Sequence, residues 1–428
     1  MVPSLARRLP FFYGWVIVAV AFVTMAIGVN ARTSFSLLFP AILDEFGWDR
    51  ATTAGAFSFG FFVAALLGPV TGRLMDRRGP VWVMELGTLA IAAGLALASL
   101  ATQPWQLYLT QGVLVGGGST AVGYSGQALY LPNWFLRRRA LAISIAYAGA
   151  GIGSIVLLPL VQSIILAAGW RTACLTLAAL ALVILAPLNL LLRRRPQDLG
   201  LTPDGDSASQ AIARRSVHIV DTTWAATSWT LAAALRTPRF WWLVLANAMA
   251  MYAWYAVQVH QTKYLLSIGI APTLAAWALG FVSLAGIPGQ IALGALSDRI
   301  GREPVWTIGC LGFVITYTLL IALSATPHPA LLVAMILAQG VLGYGITSVF
   351  GPVAAEVFDG PHFGTIFGTM MIGAMSGAAA GPFIHGLLHD ITGSDIPGFL
   401  LGILASLASI AAIWIAAPRH VRRVGPPG

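Results

Sequence analysis

The chain is a series of long apolar runs separated by short polar connections. Most runs reach or exceed about 20 residues, the length that an α-helix needs to cross the hydrocarbon core of a bilayer. None shows the alternation over about ten positions that marks a strand of a membrane barrel. We therefore predict an all-α membrane protein with twelve transmembrane helices in two six-helix halves. The predicted helices, numbered as spans one to twelve, are 14–43, 52–72, 81–101, 105–131, 139–167, 170–192, 240–267, 274–296, 304–324, 330–354, 363–389 and 396–417.

Composition agrees with this pattern and excludes other classes of protein. Of 428 residues, 58% are hydrophobic and 9% are charged, whereas a soluble domain carries about 25% charged residues. A cytosolic enzyme, a secreted domain and a disordered protein are thereby excluded. The two cysteines, Cys174 and Cys310, lie inside apolar runs and indicate neither a disulfide framework nor a metal site. We predict no cofactor and no metal.

The basic residues set the orientation. A hydrophilic stretch at 193–239 is predicted to be a cytoplasmic linker between an N-terminal bundle, 1–192, and a C-terminal bundle, 240–428. Most of the 24 Lys and Arg residues fall in loops on the linker side, and only Arg50 and Arg171 fall in loops on the other side. By the positive-inside rule both termini are cytoplasmic, and we expect a multi-pass protein of the cell inner membrane. The net charge of +9 then reflects loops beside anionic lipid and not nucleic-acid binding.

The two halves repeat one motif. GRLMDRRG at 72–79 follows span two, and GALSDRIG at 294–301 follows span eight. Repeated six-span halves are a common construction of secondary transporters. The doubled G-x-L-x-D-R-x-G pattern resembles the signature of the major facilitator superfamily, which implies its twelve-helix fold and transport by alternating access.

A narrower resemblance is carried by three short segments. FYGW at 12–15, EFGW at 45–48, and His260 with Tyr264 followed by Gly269 are similar to the oxalate/formate antiporter and monocarboxylate porter branch. The resemblance implies small organic anions as the substrate class.

The motif also indicates a gating contact. Asp76 lies at a helix end where the N-terminus of a neighbouring helix and Arg77 can reach its carboxylate. Such a latch can hold one access state closed and release in the other. The alternative is a set of solvated loop charges that only fix topology. The predicted gating residues are Gly72, Arg73, Asp76 and Arg77, with Gly294, Asp298 and Arg299 in the second half.

Arg32 is the main candidate for substrate recognition. It lies 18 residues beyond Gly14, which is about 27 Å along a helix, and arginine cannot lose its proton to escape burial. No acid shares its helix turn, so an anionic substrate is a natural partner. The resemblance agrees, since that branch carries a cation at about this place in span one. The alternative is that Arg32 snorkels to the outer interface.

The second half departs from the related carriers. Their Arg in span eight corresponds to Gln290 here, and their nearby Asp corresponds to about Gly286. The usual carboxylate clamp and the usual proton-linked acid are therefore missing, although Gln290 can hydrogen-bond a carboxylate or a neutral polar group.

Further polar side chains are predicted to face the same cavity. On span four, Tyr124, Gln127 and Tyr130 are spaced to share one helix face. The alternative for each polar group is a bond between helices, and the Gly116–118 run nearby is predicted to serve helix packing. The complete set of substrate-binding candidates is Arg32, Asn30, Tyr124, Gln127, Tyr255, Gln258, Gln290, Tyr344 and His260.

His260 is weighed separately because an imidazole titrates near neutral pH and can carry a coupling proton. At 100° per residue it points away from the stripe formed by Asn247, Tyr255 and Gln258. We therefore expect His260 to face a neighbouring helix unless span seven breaks.

These observations predict a monomeric secondary transporter that moves a small organic anion, a monocarboxylate, by alternating access. Two alternatives stay open: an efflux carrier for a neutral or drug-like compound, and a non-transporting solute sensor of the same fold. No Walker loop and no G-x-S-x-G or H-E-x-x-H pattern occurs, so we predict that the protein is not an enzyme.

Overall fold

The computed structural model describes residues 10–48, 50–206, 219–326 and 328–422. Within those ranges the backbone is helical almost throughout, and the β-type pairing is limited to one isolated bridge between Ile219 and Arg422. Ten helices there are long and apolar enough to cross a membrane. This number agrees with twelve spans, because one helical stretch contains two spans and another span is assembled from short segments.

The first half of the chain builds spans one to six. Span one continues through a short break at Ser34, and span two runs beyond its predicted end to the motif at its C-terminus. The helices are, in order, Gly14–Thr33 and Phe35–Phe46, Arg50–Arg78, Pro80–Ala98, then Pro104–Leu107, the π-helix Tyr108–Val115, Gly116–Val122 and Tyr124–Ala128, and finally Arg139–Leu180, the π-helix Ala181–Leu185 and Ala186–Asn189.

Spans five and six form one stretch of 51 residues, Arg139–Asn189. The stretch is interrupted at Gly169, whose φ of 84° and ψ of 164° are not helical. Only glycine adopts this backbone conformation without steric cost. The predicted boundary between the two spans therefore coincides with a glycine turn.

The second half builds spans seven to twelve from longer, less interrupted helices. Span ten contains a π-helical segment, as span four does. The helices are Pro238–Ser267, Pro272–Ile300, Arg302–Ala325, then Pro329–Leu337 with the π-helix Ala338–Gly343 and Gly345–Val357, then Phe363–Thr392 and Ile396–Ala416. Short helical turns lie in the connections at Leu131–Asn133, Pro196–Leu199, Pro203–Gly205, Thr222–Ala226, Leu231–Leu235 and Pro418–His420.

The chain divides into two compact units. The first is Met1–Ala213 together with Pro361–Thr369, and the second is Arg214–Gly360 together with Met370–Gly428. The predicted linker, 193–239, is shared between them. The beginning of span eleven belongs to the first unit, so its contacts with span two are internal to that unit.

Close helix packing in the first unit depends on glycine. A Cβ on Gly116 would lie 2.6 Å from the Cα of Gly60 in span two, and a Cβ on Gly118 would lie 2.7 Å from the carbonyl oxygen of Gly87 in span three. The prediction that this glycine run serves packing is confirmed. Span two in turn exposes Phe62 and Leu66, which suits contact with lipid acyl chains.

Candidate functional site

The guanidinium of Arg32 is framed by aromatic rings of span two. Its Cζ lies 3.9 Å from the ring centroid of Phe61 and 5.1 Å from that of Phe57. Gly60 lies between these rings along the helix, and a Cβ there would lie 3.5 Å from Nη2. Cation–π contacts of this kind hold the plane of the guanidinium while its donors lie around the edge of that plane.

Asn30 lies two residues before Arg32 but has a different environment. Its side chain is buried, and Nδ2 donates to the carbonyl oxygens of Ala26 (2.8 Å) and Ala150 (2.9 Å). Oδ1 accepts a hydrogen bond of 2.7 Å from Ser154 Oγ. Asn30 thus joins span one to span five, and its role as a substrate ligand stays a prediction.

The polar residues predicted to share a face of span four are unevenly buried. Gln127 and Tyr130 are fully buried and hydrogen-bonded to each other, whereas Tyr124 is 43% exposed. Tyr124 and Gln127 share the short helix Tyr124–Ala128, which ends before Tyr130 (φ −126°), so the regular spacing predicted for the three residues does not extend to Tyr130. Tyr124 instead lies edge-on to Tyr147, whose hydroxyl donates to the Tyr124 carbonyl oxygen at 2.7 Å.

Span seven is unbroken, and the residues predicted to form one stripe on it are unevenly buried. Tyr255 and Gln258 are partly exposed and Asn247 is buried. His260 turns to span eleven, where its Nε2 lies 3.0 Å from the carbonyl oxygen of Pro382. The expectation that His260 faces a neighbouring helix is therefore confirmed, while its role in proton transfer stays a prediction.

Gln290 and Tyr344 lie together in the second unit. The Nε2 atom of Gln290 is buried and has no hydrogen-bond partner among the described residues. Tyr344 packs against Trp254, with ring centroids 4.4 Å apart. A Cβ on Gly286 would lie 2.6 Å from the Tyr344 ring. The ring therefore fills the space beside the position where related carriers place an acid, and a side chain at 286 would need it to move.

The first copy of the motif forms a helix cap. Asp76 Oδ1 accepts from the backbone N–H of Gly364 (2.9 Å), and Oδ2 accepts from the N–H (2.8 Å) and hydroxyl (2.9 Å) of Thr365. These donors belong to the first turn of span eleven, where a carboxylate is favoured by the helix dipole. We call this contact the latch. The approach of the helix ends requires Gly72, because a Cβ there would collide with the Gly364 backbone.

The cationic side chain beside the latch is that of Arg194, which belongs to the predicted linker and not to the motif. Arg194 Nη2 lies 3.5 Å from Asp76 Oδ1, and Arg194 Nη1 donates to the Asp76 backbone oxygen at 2.5 Å. Arg77 was expected to supply this charge; the side chains of Arg73 and Arg77 are exposed, and their gating role stays a prediction. Burial, together with the charge of Arg195, lowers the pKa of Arg194. No sequence motif marks Arg194, because its partner is 118 residues away.

The second copy of the motif forms a buried ion-pair cluster instead. Asp298 Oδ1 accepts from Arg302 Nη1 at 2.6 Å, and Glu356 Oε1 accepts from Arg302 Nη2 at 2.7 Å. The Arg302 side chain is 1% exposed. Arg299 is exposed, while Gly294 is buried. Arg302 and Glu356 were missed from the sequence because neither falls within the repeated motif.

Comparisons with known proteins cover the whole chain. The model described as Major Facilitator Superfamily matches residues 16–269 and 245–428. Monocarboxylate transporter 13 of Bos taurus is 27% identical over 91% of this chain and 86% of its own length. Monocarboxylate transporter 12 of Homo sapiens is 28% identical over 91% and 77%, respectively.

Two solved structures share the fold. The proton:xylose symporter XylE has a TM-score of 0.76 at 13% identity, over 94% of this chain and 95% of its own. The E. coli fucose:proton symporter FucP has a TM-score of 0.66 at 17% identity, over 94% and 98%. Identities this low inform on the fold alone.

Proposed function

Because the chain belongs to the Major Facilitator Superfamily, we propose that it carries a small organic monoanion, of the monocarboxylate class, across the membrane by alternating access. The protein is a membrane transporter related to monocarboxylate transporters and is not an enzyme. The substrate class is supported above all by the position of Arg32 within span one, against the ring faces of span two.

The contacts of Arg32 suit a carboxylate ligand. The ring centroids of Phe57 and Phe61 lie 5.1 and 3.9 Å from Cζ of Arg32. These contacts restrict the orientation of the guanidinium plane. A carboxylate binds a guanidinium in that plane, with two parallel N–H···O bonds. Low surrounding polarity strengthens such a bond relative to water. Arg32 is therefore assigned the role of principal anion-recognising residue.

The single positive charge of Arg32 favours a substrate with one carboxylate over a substrate with two. Gln290, at the second-half position where related carriers have Arg, is buried and uncharged. A second carboxylate brought into the interior without a cation would lose its hydration uncompensated, at several kcal/mol. We therefore assign a monoanion as substrate, and the Gln290 amide as a donor to a neutral polar group.

The latch supports the alternating-access part of the proposal. A carboxylate holding the first turn of a helix is a discrete contact that is either made or broken, as a switch between two states requires. Asp76 is assigned to the access equilibrium and Arg32 to the substrate. The two roles predict different outcomes for their variants.

The test is transport by purified protein in liposomes without ATP. A thermal-shift screen of short-chain monocarboxylates first selects a ligand, since a ligand that binds the folded state raises Tm. Its flux down a gradient is then measured for wild type, Arg32→Gln and Arg32→Lys. We expect Arg32→Gln to abolish both the thermal shift and the flux, and Arg32→Lys to retain part of each.

Arg171→Gln is the matched control. Arg171 also lies over aromatic rings, Trp170 at 4.5 Å and Phe46 at 5.6 Å, but at the start of span six, where it pairs with Glu45. The Arg171→Gln variant should bind the selected monocarboxylate as wild type does. Full ligand binding by Arg32→Gln would refute the anion assignment, and a thermal shift by neutral drug-like compounds alone would favour the efflux alternative. Saturable binding without flux would identify a sensor.

A further inference from the structure

Three histidines and one aspartate converge at the end of span eleven remote from the latch. His385 Nε2 lies 3.1 Å from Asp395 Oδ1, and His389 Nδ1 lies 3.2 Å from the same oxygen. His260 reaches this group from span seven and stacks on His385 with ring centroids 4.2 Å apart. One ligating atom each from His260, His385 and Asp395 lie within 4.8 Å of one another. We call these four residues the histidine cluster.

The cluster is enclosed but accessible. His385 is fully buried, and its Nδ1 has no hydrogen-bond partner among the described residues. A Cβ on Gly398 would lie within 2.7 Å of its ring, so the glycine makes room for the imidazole. The side chain of His389 is 38% exposed, so solvent reaches this edge of the cluster.

We propose that the histidine cluster binds a divalent transition-metal ion of the Zn²⁺ class. Imidazole nitrogens and a carboxylate oxygen are ordinary Zn²⁺ ligands, whereas Mg²⁺ and Ca²⁺ prefer sites made of oxygens. Two ligands each about 2.0–2.1 Å from a tetrahedral zinc ion are separated by about 3.3 Å. The separations of 3.1 and 3.2 Å from Asp395 already match this spacing.

The supporting contacts fit the same role. His260 is held by the carbonyl oxygen of Pro382, 3.0 Å from its Nε2, and metal-binding imidazoles are oriented by such second contacts. The three ligands, His260, His385 and Asp395, come from span seven, from span eleven and from the residue that precedes span twelve. A bound ion would therefore tie three helix ends of the second unit together. This site is separate from Arg32 and from the latch, so its test does not depend on the proposed function.

The test uses the full-length protein in detergent, purified without a polyhistidine tag and freed of metal by chelation. Zn²⁺ is added alone, and Tm, bound metal per chain and Kd are measured at pH 7.5 and pH 5.5. We expect one ion per chain at micromolar Zn²⁺ and a rise in Tm. Binding should weaken at pH 5.5, because protons compete with the metal ion for the imidazole nitrogens.

Two variants and one control keep the test decisive if His385 is needed for folding. His260→Gln and His389→Gln should each weaken Zn²⁺ binding by at least the about 10–100-fold that loss of a supporting contact typically costs. His362→Gln removes an exposed histidine outside the cluster and should bind as wild type does. The proposal is overturned if no stoichiometric Zn²⁺ binds, if both cluster variants bind normally, or if Mg²⁺ binds equally well. In any of those cases the cluster is only a His–Asp hydrogen-bond network.

Discussion

Replacing Asp76 by Asn should change the rate of transport and leave substrate affinity nearly intact. The Asp76 side chain is 9% exposed and accepts three hydrogen bonds from Gly364 and Thr365 at the start of span eleven. Asn keeps one acceptor oxygen and presents an NH₂ group where the other was, so at least one of these donors loses its acceptor. The N-terminus of span eleven also loses its counter-charge.

The magnitude follows from these contacts. A hydrogen bond to a charged group contributes about 1.5–3 kcal/mol, and a negative charge at a helix N-terminus about 0.3–1 kcal/mol. Asp76→Asn should therefore weaken the latched state by about 2–4 kcal/mol. Since 1.4 kcal/mol is tenfold, the latched-to-unlatched equilibrium shifts on the order of 30- to 1000-fold. A carrier held in one access state turns over slowly but still binds solute.

The assay compares initial flux in proteoliposomes with ligand Kd in detergent for the same preparation. Thr365→Val, which removes one of the three hydrogen bonds, should give a smaller effect in the same direction, and Thr365→Ser should match wild type. If Asp76→Asn lowered affinity and flux in parallel, Asp76 would act on the substrate site and the latch would be the wrong interpretation.

Three further predictions concern packing, a buried amide and a surface ion pair. Gly72→Ala inserts a methyl group against a backbone carbonyl of span eleven and should slow flux and cost about 1–3 kcal/mol in stability, whereas Gly280→Ala, with open space around it, should not. Asn30→Ala should lower Tm at unchanged KM, because the lost hydrogen bonds cost about 1–3 kcal/mol of stability. A raised KM with a wild-type Tm would instead make Asn30 a substrate ligand. The hydrogen bond from Arg171 holds the pKa of Glu45 below its usual range, so its stabilisation is present above about pH 4.5 and is lost as pH falls through the lower folded-state pKa. The ion pair contributes no more than about 1 kcal/mol, and the Tm difference between wild type and Glu45→Gln should shrink below pH 4.5. A Tm difference that grows on acidification would contradict this direction.

Sequence periodicity predicted the features that depend on unbroken helices. The spans follow from the lengths of the apolar runs, and the orientation of His260 follows from 100° per residue along an uninterrupted span seven. On span four the same rule holds only over the short helix Tyr124–Ala128, which ends before Tyr130 (φ −126°).

Contacts between segments that are distant in the chain could not be predicted from the sequence. Arg194 reads as one of three consecutive linker arginines, yet it alone is described at the Asp76 carboxylate. His260 and His385 lie 125 residues apart in the sequence, and only the fold stacks their rings. A side chain's partner is set by which helices pack together, and no spacing along one helix encodes that.

The two motif copies differ for a reason visible in their sequences. Each motif ends in glycine, and the next residue is Pro80 in the first half and Arg302 in the second. Arg302 neutralises Asp298 within its own half. Proline offers no such charge, so the carboxylate of Asp76 bonds to backbone N–H groups and to Arg194 of the linker. We infer that only the first copy is a latch and that the second is a permanent structural contact.

This difference predicts that Asp298→Asn affects stability where Asp76→Asn affects rate. Arg302 is almost fully buried and would keep Glu356 as its remaining described carboxylate partner. Removing one member of a buried ion pair costs about 3–5 kcal/mol, and the remaining partner should bring the loss to the lower end of that range. Tm should therefore fall, while flux per folded molecule stays within about twofold of wild type. The measurement is Tm in detergent alongside flux normalised to folded protein, with Arg299→Gln, an exposed neighbour, as control. If Asp298→Asn melts as wild type does and slows flux as strongly as Asp76→Asn, then both copies gate transport, and the asymmetry inferred from Pro80 and Arg302 is wrong.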